Sequence, residues 1–140
     1  MSSVRKNEQS SNRFTVLDVA LELYDHTTTV TANPKIFQPS QQKLTDQIIE
    51  EAALVYHCCR TANEDLDARK RDEALIRIQL EEEALNHCKW LKTYIKLAKR
   101  KLKFRAKKAI AWTKKVNRTM DLIKAWIASE KRNYKQNHGL

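Results

Sequence analysis

His57-Cys58-Cys59 and His87-Cys88 are the first residues to test for chemistry, because imidazole and thiolate are the ligands zinc prefers. Their spacing argues against a metal. Neither pair has a C-x-x-C or H-x-x-x-H arrangement, and Cys59 and Cys88 fall on apolar helical seams, where a free Cys acts as a small hydrophobe. A di-iron carboxylate bundle needs paired Glu-x-x-His motifs, and Glu83 to His87 is one residue too long. No Ser, Cys or Thr carries a local nucleophile signature, and a chain whose one glycine is Gly139 has little material for an oxyanion turn. The same scarcity removes G-x-x-x-x-G-K-[ST] and G-x-G-x-x-G. No catalytic residue, metal or cofactor is expected, and the chain reads as a binding protein rather than an enzyme.

The second kind of chemistry is charge neutralisation. Over the whole chain 27 Lys+Arg stand against 17 Asp+Glu, a net charge of +10, and the excess is concentrated. Residues 1–66 hold 6 basic and 9 acidic side chains, whereas residues 67–140 hold 21 and 8. Between residues 89 and 118 there are 13 Lys and Arg and no acid. Lys89, Lys92, Lys96, Lys99 and Lys103 repeat at three and four, the spacing that aligns ammonium groups along one helix face. Arg100, Arg105, Lys107, Lys108 and Lys115 continue the run. Like charges so placed repel one another, and ordinary solvated helices interleave Glu to relieve this. Its absence points to a polyanion-binding surface. Ten of the 13 are Lys, which favours point contacts with phosphate over bidentate reading of base edges. Trp90, Tyr94, Phe104 and Trp112 are interleaved with these charges and have rings that stack on unpaired bases, although Trp112 lies on an apolar seam and is expected in the core, and Trp90 and Tyr94 flank the seam and suit a subunit interface equally well. No long Phe, Leu and Trp face suits a membrane surface, so no membrane partner is expected.

Helices must position these residues. Ala, Leu, Lys, Glu, Gln and Arg dominate, and one Gly and two Pro leave few breaks. Residues 1–13 are polar and expected as a disordered tail, the bundle to span 14–134, and 135–140 to form a second tail. Phe14, Leu17, Leu21 and Tyr24 outline the first helix face. Asn33-Pro34 to Pro39-Ser40 breaks it, with Ser40 expected as the next N-cap. Leu44, Ile48, Ala52, Val55, Cys59, Ala62 and Leu66 mark the second seam, and the tract 63–67 the turn after it. Ala84, Cys88, Leu91, Ile95, Ala98 and Leu102 mark the third, extended back through Ile78 and Leu75 in a helix over about 70–102. Ala109, Trp112, Val116, Met120, Ile123 and Ile127 mark the fourth, ending near Tyr134. The pattern predicts an all-α antiparallel four-helix bundle. Three cysteines and the absence of a secretory leader predict a cytoplasmic location.

The order of Tyr56-His57-Cys58-Cys59-Arg60-Thr61-Ala62-Asn63, Cys88-Lys89-Trp90-Leu91-Lys92 and Lys124-Ala125-Trp126-Ile127-Ala128-Ser129, together with the charge pattern, resembles the accessory variability determinant (Avd) proteins of diversity-generating retroelements. The likeness runs from about Phe14 to Tyr134. It implies a non-catalytic four-helix protomer that assembles into a homopentameric barrel. It also implies partnership with the retroelement's reverse transcriptase and its template RNA, and contact with the cDNA, in mutagenic cDNA synthesis. Lys92, after Trp90-Leu91, matches a position where that family commonly places a basic residue, and Arg100 to Lys108 matches its charged end. Lys exceeds Arg here more than in some relatives. A related bundle family, encoded within intervening sequences of large ribosomal RNA genes, shares the fold and the pentamer. Two readings therefore stand: an accessory subunit binding nucleic acid, and an oligomeric scaffold for an acidic protein surface.

Overall fold

The computed structural model describes the backbone of residues 2–139 and the side chains of residues 15–139. Among them lie four long helices: α1 (Ser2–Thr31), α2 (Gln42–Glu64), α3 (Arg71–Lys101) and α4 (Ala106–His138), with a single 3-10 turn (Pro39–Gln41) before α2. Each packs against its chain neighbours and α1 closes against α4, and among the described residues the backbones of the diagonal pairs stay farther apart. This is the antiparallel four-helix bundle that the periodicity predicts.

The seams of α2 and α4 are buried as expected: Leu44, Ile48, Ala52, Val55, Cys59 and Ala62 on one, Ala109, Trp112, Val116, Met120, Ile123 and Ile127 on the other. Leu66 lies beyond the end of α2 and is half-buried. The face of α1 differs. Val16, Val19, Ala20, Leu23, Thr27 and Thr31 face the core, while Leu17 and Tyr24 are half-buried at its flank and Leu21 is 47% exposed. Both stripes have helical spacing. The threonine stripe is admissible inside because Thr27 Oγ1 donates to the Leu23 carbonyl at 2.7 Å and Thr31 Oγ1 to the Thr27 carbonyl at 2.8 Å. The backbone of residues 2–13, expected as a disordered tail, belongs to α1, while their side chains and that of Phe14 lie outside those described.

Helix ends depart from expectation in three places. Ser40 lies within the 3-10 turn and caps nothing; α2 starts at Gln42 with no side-chain cap. Pro39 opens that turn, where its fixed φ suits a first helical position, while α1 has already ended at Thr31. Leu75 is exposed, and Ala74, Arg77, Ile78 and Glu81 occupy the buried face of the start of α3. α4 continues through His138, past the 134 boundary and into the expected tail, because its last turns are tied across the bundle. The Arg71 guanidinium donates to the Tyr134 hydroxyl at 3.4 Å, and His138 Nε2 lies 3.2 Å from the Ala68 carbonyl.

Each end of the bundle has its own closure. At the end bearing the α1–α2 and α3–α4 connections, Phe37, Phe104 and Trp112 meet edge to face with centroids 5.9 to 6.4 Å apart. Trp112 Nε1 donates to Thr27 Oγ1 at 3.1 Å, so the indole is satisfied while wholly buried. At the opposite end the buried Arg77 guanidinium donates to Glu130 through Nε at 3.0 Å and, through Nη1, to the carbonyls of Ala62 and Leu66 at 2.7 and 2.8 Å. One side chain of α3 thus caps α2 and holds α4. Arg77→Met leaves Glu130 buried without its cation and is expected to lower unfolding free energy by about 3–5 kcal/mol. Urea denaturation followed by circular dichroism measures it, and Arg77→Met with Glu130→Leu should recover most of the loss.

His26 lies beside Trp112 with its Nε2 buried and without a hydrogen-bond partner. Burial, then the charge of Lys115, pushes its pKa below the ordinary 6.5, against the opposing pull of Asp25. Below pH 6.5 the unfolded chain takes up this proton more readily than the folded one, so stability falls as pH falls through that value. Urea midpoints from about pH 8 to about pH 5 should decline in the wild type and decline less in His26→Gln.

Candidate nucleic-acid interface

The apolar seams of α3 and α4 turn one face of each helix inward and leave the remaining positions to Lys and Arg. Lys89, Lys96, Lys99, Arg100, Lys103, Arg105, Lys107, Lys108 and Lys115 are exposed, and Lys92 is half-buried at the edge of the α3 seam. The five-membered lysine stripe is shorter than the spacing predicts. The chain leaves the helix at Leu102, which is extended (φ −113°, ψ 152°), so Lys103 belongs to the connection and not to the row of Lys89, Lys92, Lys96 and Lys99. The connection places it instead with Arg105, Lys107 and Lys108.

Among the described residues, every ion pair lies outside this surface. The surface ion pairs lie elsewhere: Arg60–Glu64 at 3.0 Å, Arg69–Asp67 at 3.1 Å, Lys70–Glu73 at 3.5 Å and Lys131–Glu82 at 3.1 Å, while Lys35, Lys43, Lys124, Arg132 and Lys135 take part in none among the described residues. The Arg69 guanidinium holds the Asp67 carboxyl down to about 2. Among the described residues, none of the 13 cations between 89 and 118 takes part in an ion pair. The helix dipoles sharpen the contrast. Lys99, Arg100 and Lys101 in the last turn of α3 suit its negative end, but Lys107 and Lys108 sit in the first turn of α4, which has no acid and where the macrodipole is positive. Those two lysines cost stability until an anion reaches them.

The antiparallel topology adds two cations that sequence spacing did not single out. Phe37 packs on Phe104 with centroids 5.9 Å apart, bringing the α1–α2 connection beside the α3–α4 one. Exposed Lys35 and Lys43 thereby join the end that carries residues 99–108. The signal for this was the similar length of the helical patterns, which brings alternate connections to one end. Acidic side chains are shared between the layers: Asp18, Glu22, Asp25, Asp46 and Glu50 are exposed on α1 and α2, and Asp72, Glu82, Glu83 and Asp121 on α3 and α4, outside the 89–118 window.

The aromatic residues divide. Trp112 is in the core as its seam position requires, and Phe104, considered above for base stacking, is buried against it. Tyr94 is half-buried, and Trp90 is 49% exposed. The thiols face inward. Burial and then Glu83, whose Oε2 lies 4.0 Å from Cys58 Sγ, push the Cys58 thiol up; burial raises Cys59 further and Cys88 to about 12. His87 Nδ1 is 2.6 Å from Glu51 Oε2 and ties α3 to α2, while His57 is exposed. No group of three or more His, Cys, Asp or Glu among the described residues is placed to share a metal ion. No helix among them is long and apolar enough to cross a membrane. No protein-family model, curated protein or solved structure matches the chain.

Proposed function

We propose that this protein is a non-catalytic accessory subunit that binds nucleic acid through its α3–α4 layer, and that its partners are the reverse transcriptase and the template RNA and cDNA of a diversity-generating retroelement. The observation that carries the binding reading is the acid-free run of 13 cations from Lys89 to Arg118, none of which takes part in an ion pair among the described residues. Phosphate is the anion best matched to a lysine-rich, extended array, because it repeats along a chain and requires no fixed donor geometry. The retroelement setting and the homopentameric barrel rest on the resemblance to the Avd proteins in Tyr56–Asn63, Cys88–Lys92 and Lys124–Ser129, and the cytoplasmic location on cysteine usage.

In this reading Lys89, Lys92, Lys96, Lys99, Arg100, Lys103, Arg105, Lys107, Lys108 and Lys115 contact phosphates and organise a folded RNA on which the polymerase primes. The α1–α2 layer, of opposite charge, is left to protein partners: the polymerase and further copies of the chain. A scaffold that binds an acidic protein instead would also use the basic layer, and salt separates the two, since phosphate contacts release condensed counterions and give a steep log-linear dependence.

Fluorescence anisotropy with the retroelement RNA, an unrelated structured RNA as competitor and a salt series tests the proposal. Replacing Lys96, Lys99 and Lys103 together with Gln should weaken binding at least about tenfold and reduce the salt slope by roughly two to three, with helicity unchanged. Unchanged affinity overturns the assignment of these three residues. Equal affinity for both RNAs moves specificity to the polymerase, and no binding of either favours the scaffold.

A further inference from the structure

We infer that Trp90 and Tyr94 form a stacking platform for an unpaired nucleobase, so that the α3 surface takes single-stranded rather than duplex nucleic acid. The inference rests on the binding reading above and names the form of nucleic acid that this surface accepts.

The geometry begins with the helix. Trp90, Tyr94 and Leu97 follow at four and three residues, so they form one row along α3, and Lys89, Thr93, Lys96 and Arg100 form the adjacent row one residue behind. The Trp90 and Tyr94 rings lie 5.9 Å apart at an interplanar angle of 31°. Tyr94 and Leu97 pack against the core and support the platform from below, while Trp90 has nearly half its surface in solvent. Tyr94 also belongs to an open cleft of about 700 Å³ that it lines with Thr93, Lys96, Leu97, Lys99 and Arg100. The aromatic pair and the cationic cleft are therefore continuous through one side chain.

An exposed indole on an apolar footing, bordered by ammonium and guanidinium groups, offers a π-face for a base beside charges for its phosphates. Sequence-tolerant single-strand binding needs those two components together. In a duplex the base faces are covered by their neighbours, and the indole finds nothing to stack on. The other two tryptophans do not compete for this role: Trp112 is wholly buried and Trp126 nearly so.

That burial makes Trp90 the indole that a bound strand reaches, so intrinsic emission reports on it. Full-length protein is titrated with a uridine homopolymer and with a mixed-sequence RNA duplex of the same length, in wild type, Trp90→Ala and Trp90→Phe. The expected result is quenching by the single strand and a roughly tenfold to hundredfold loss of single-strand affinity in Trp90→Ala. Trp90→Phe should recover part of that loss, and duplex affinity should change less than about twofold. Equal losses on both RNAs, or unquenched emission with an unaffected Trp90→Ala, overturn the platform while leaving phosphate binding in place. Binding of neither RNA to the wild type overturns both the platform and the binding reading on which it rests.

Discussion

The fold depends on a guanidinium that water cannot reach. Arg77 lies inside the bundle, where an unpaired charge carries a desolvation cost of several kcal/mol. It is tolerable only because Glu130 of α4 and the Ala62 and Leu66 carbonyls at the end of α2 converge on it. All of those partners must be in register at once. The contact therefore specifies how three helices end relative to one another, something that apolar seams of similar width leave less determined. Around it Arg69 pairs with Asp67 and Lys70 with Glu73 on the surface, and the long C-terminal turns of α4 are held through Tyr134 and His138.

The opposite end is built on another principle. Phe37, Phe104 and Trp112 close it with rings, and Thr27 satisfies the indole. This apolar plug lets the connections pass over the core with Lys103 and Arg105 on either side of Phe104 and no acid among them. Repulsion there is carried by packing underneath rather than relieved by pairing. A bundle closed at one end by an ionic network and at the other by aromatic packing can keep a field of uncompensated cations without coming apart. That asymmetry gives the nucleic-acid reading a physical basis, since the missing counterions are left to a partner.

Much of this was legible from residue order. The seams of α2 and α4 and the middle of α3 could be read because their apolar residues recur at three and four with few competing hydrophobes. The first helix could not be assigned in the same way. Its Leu17-Leu21-Tyr24 stripe is the more hydrophobic, yet the Val16-Ala20-Leu23-Thr27 stripe is buried, because threonine hydroxyls bond to their own helix and small side chains allow close approach. At the start of α3 the apolar Leu75 is outside and Arg77 is inside, an inversion that no local pattern encodes. Of the aromatic candidates for stacking, only the structure separated exposed Trp90 from buried Phe104.

By itself, then, the sequence determined helix content, helix number and the location of charge along the chain. Those properties follow from residues within a few positions of one another: glycine and proline scarcity, three-four periodicity, and an acid-free tract from 89 to 118. Only the tertiary structure decided which stripe of α1 is buried, that Lys35 and Lys43 join the basic end, and that Arg77 has a carboxylate and two carbonyls to receive it. Each of those depends on groups tens of residues apart in the chain. Their free energies are set by desolvation and packing, which exist only once the helices have met.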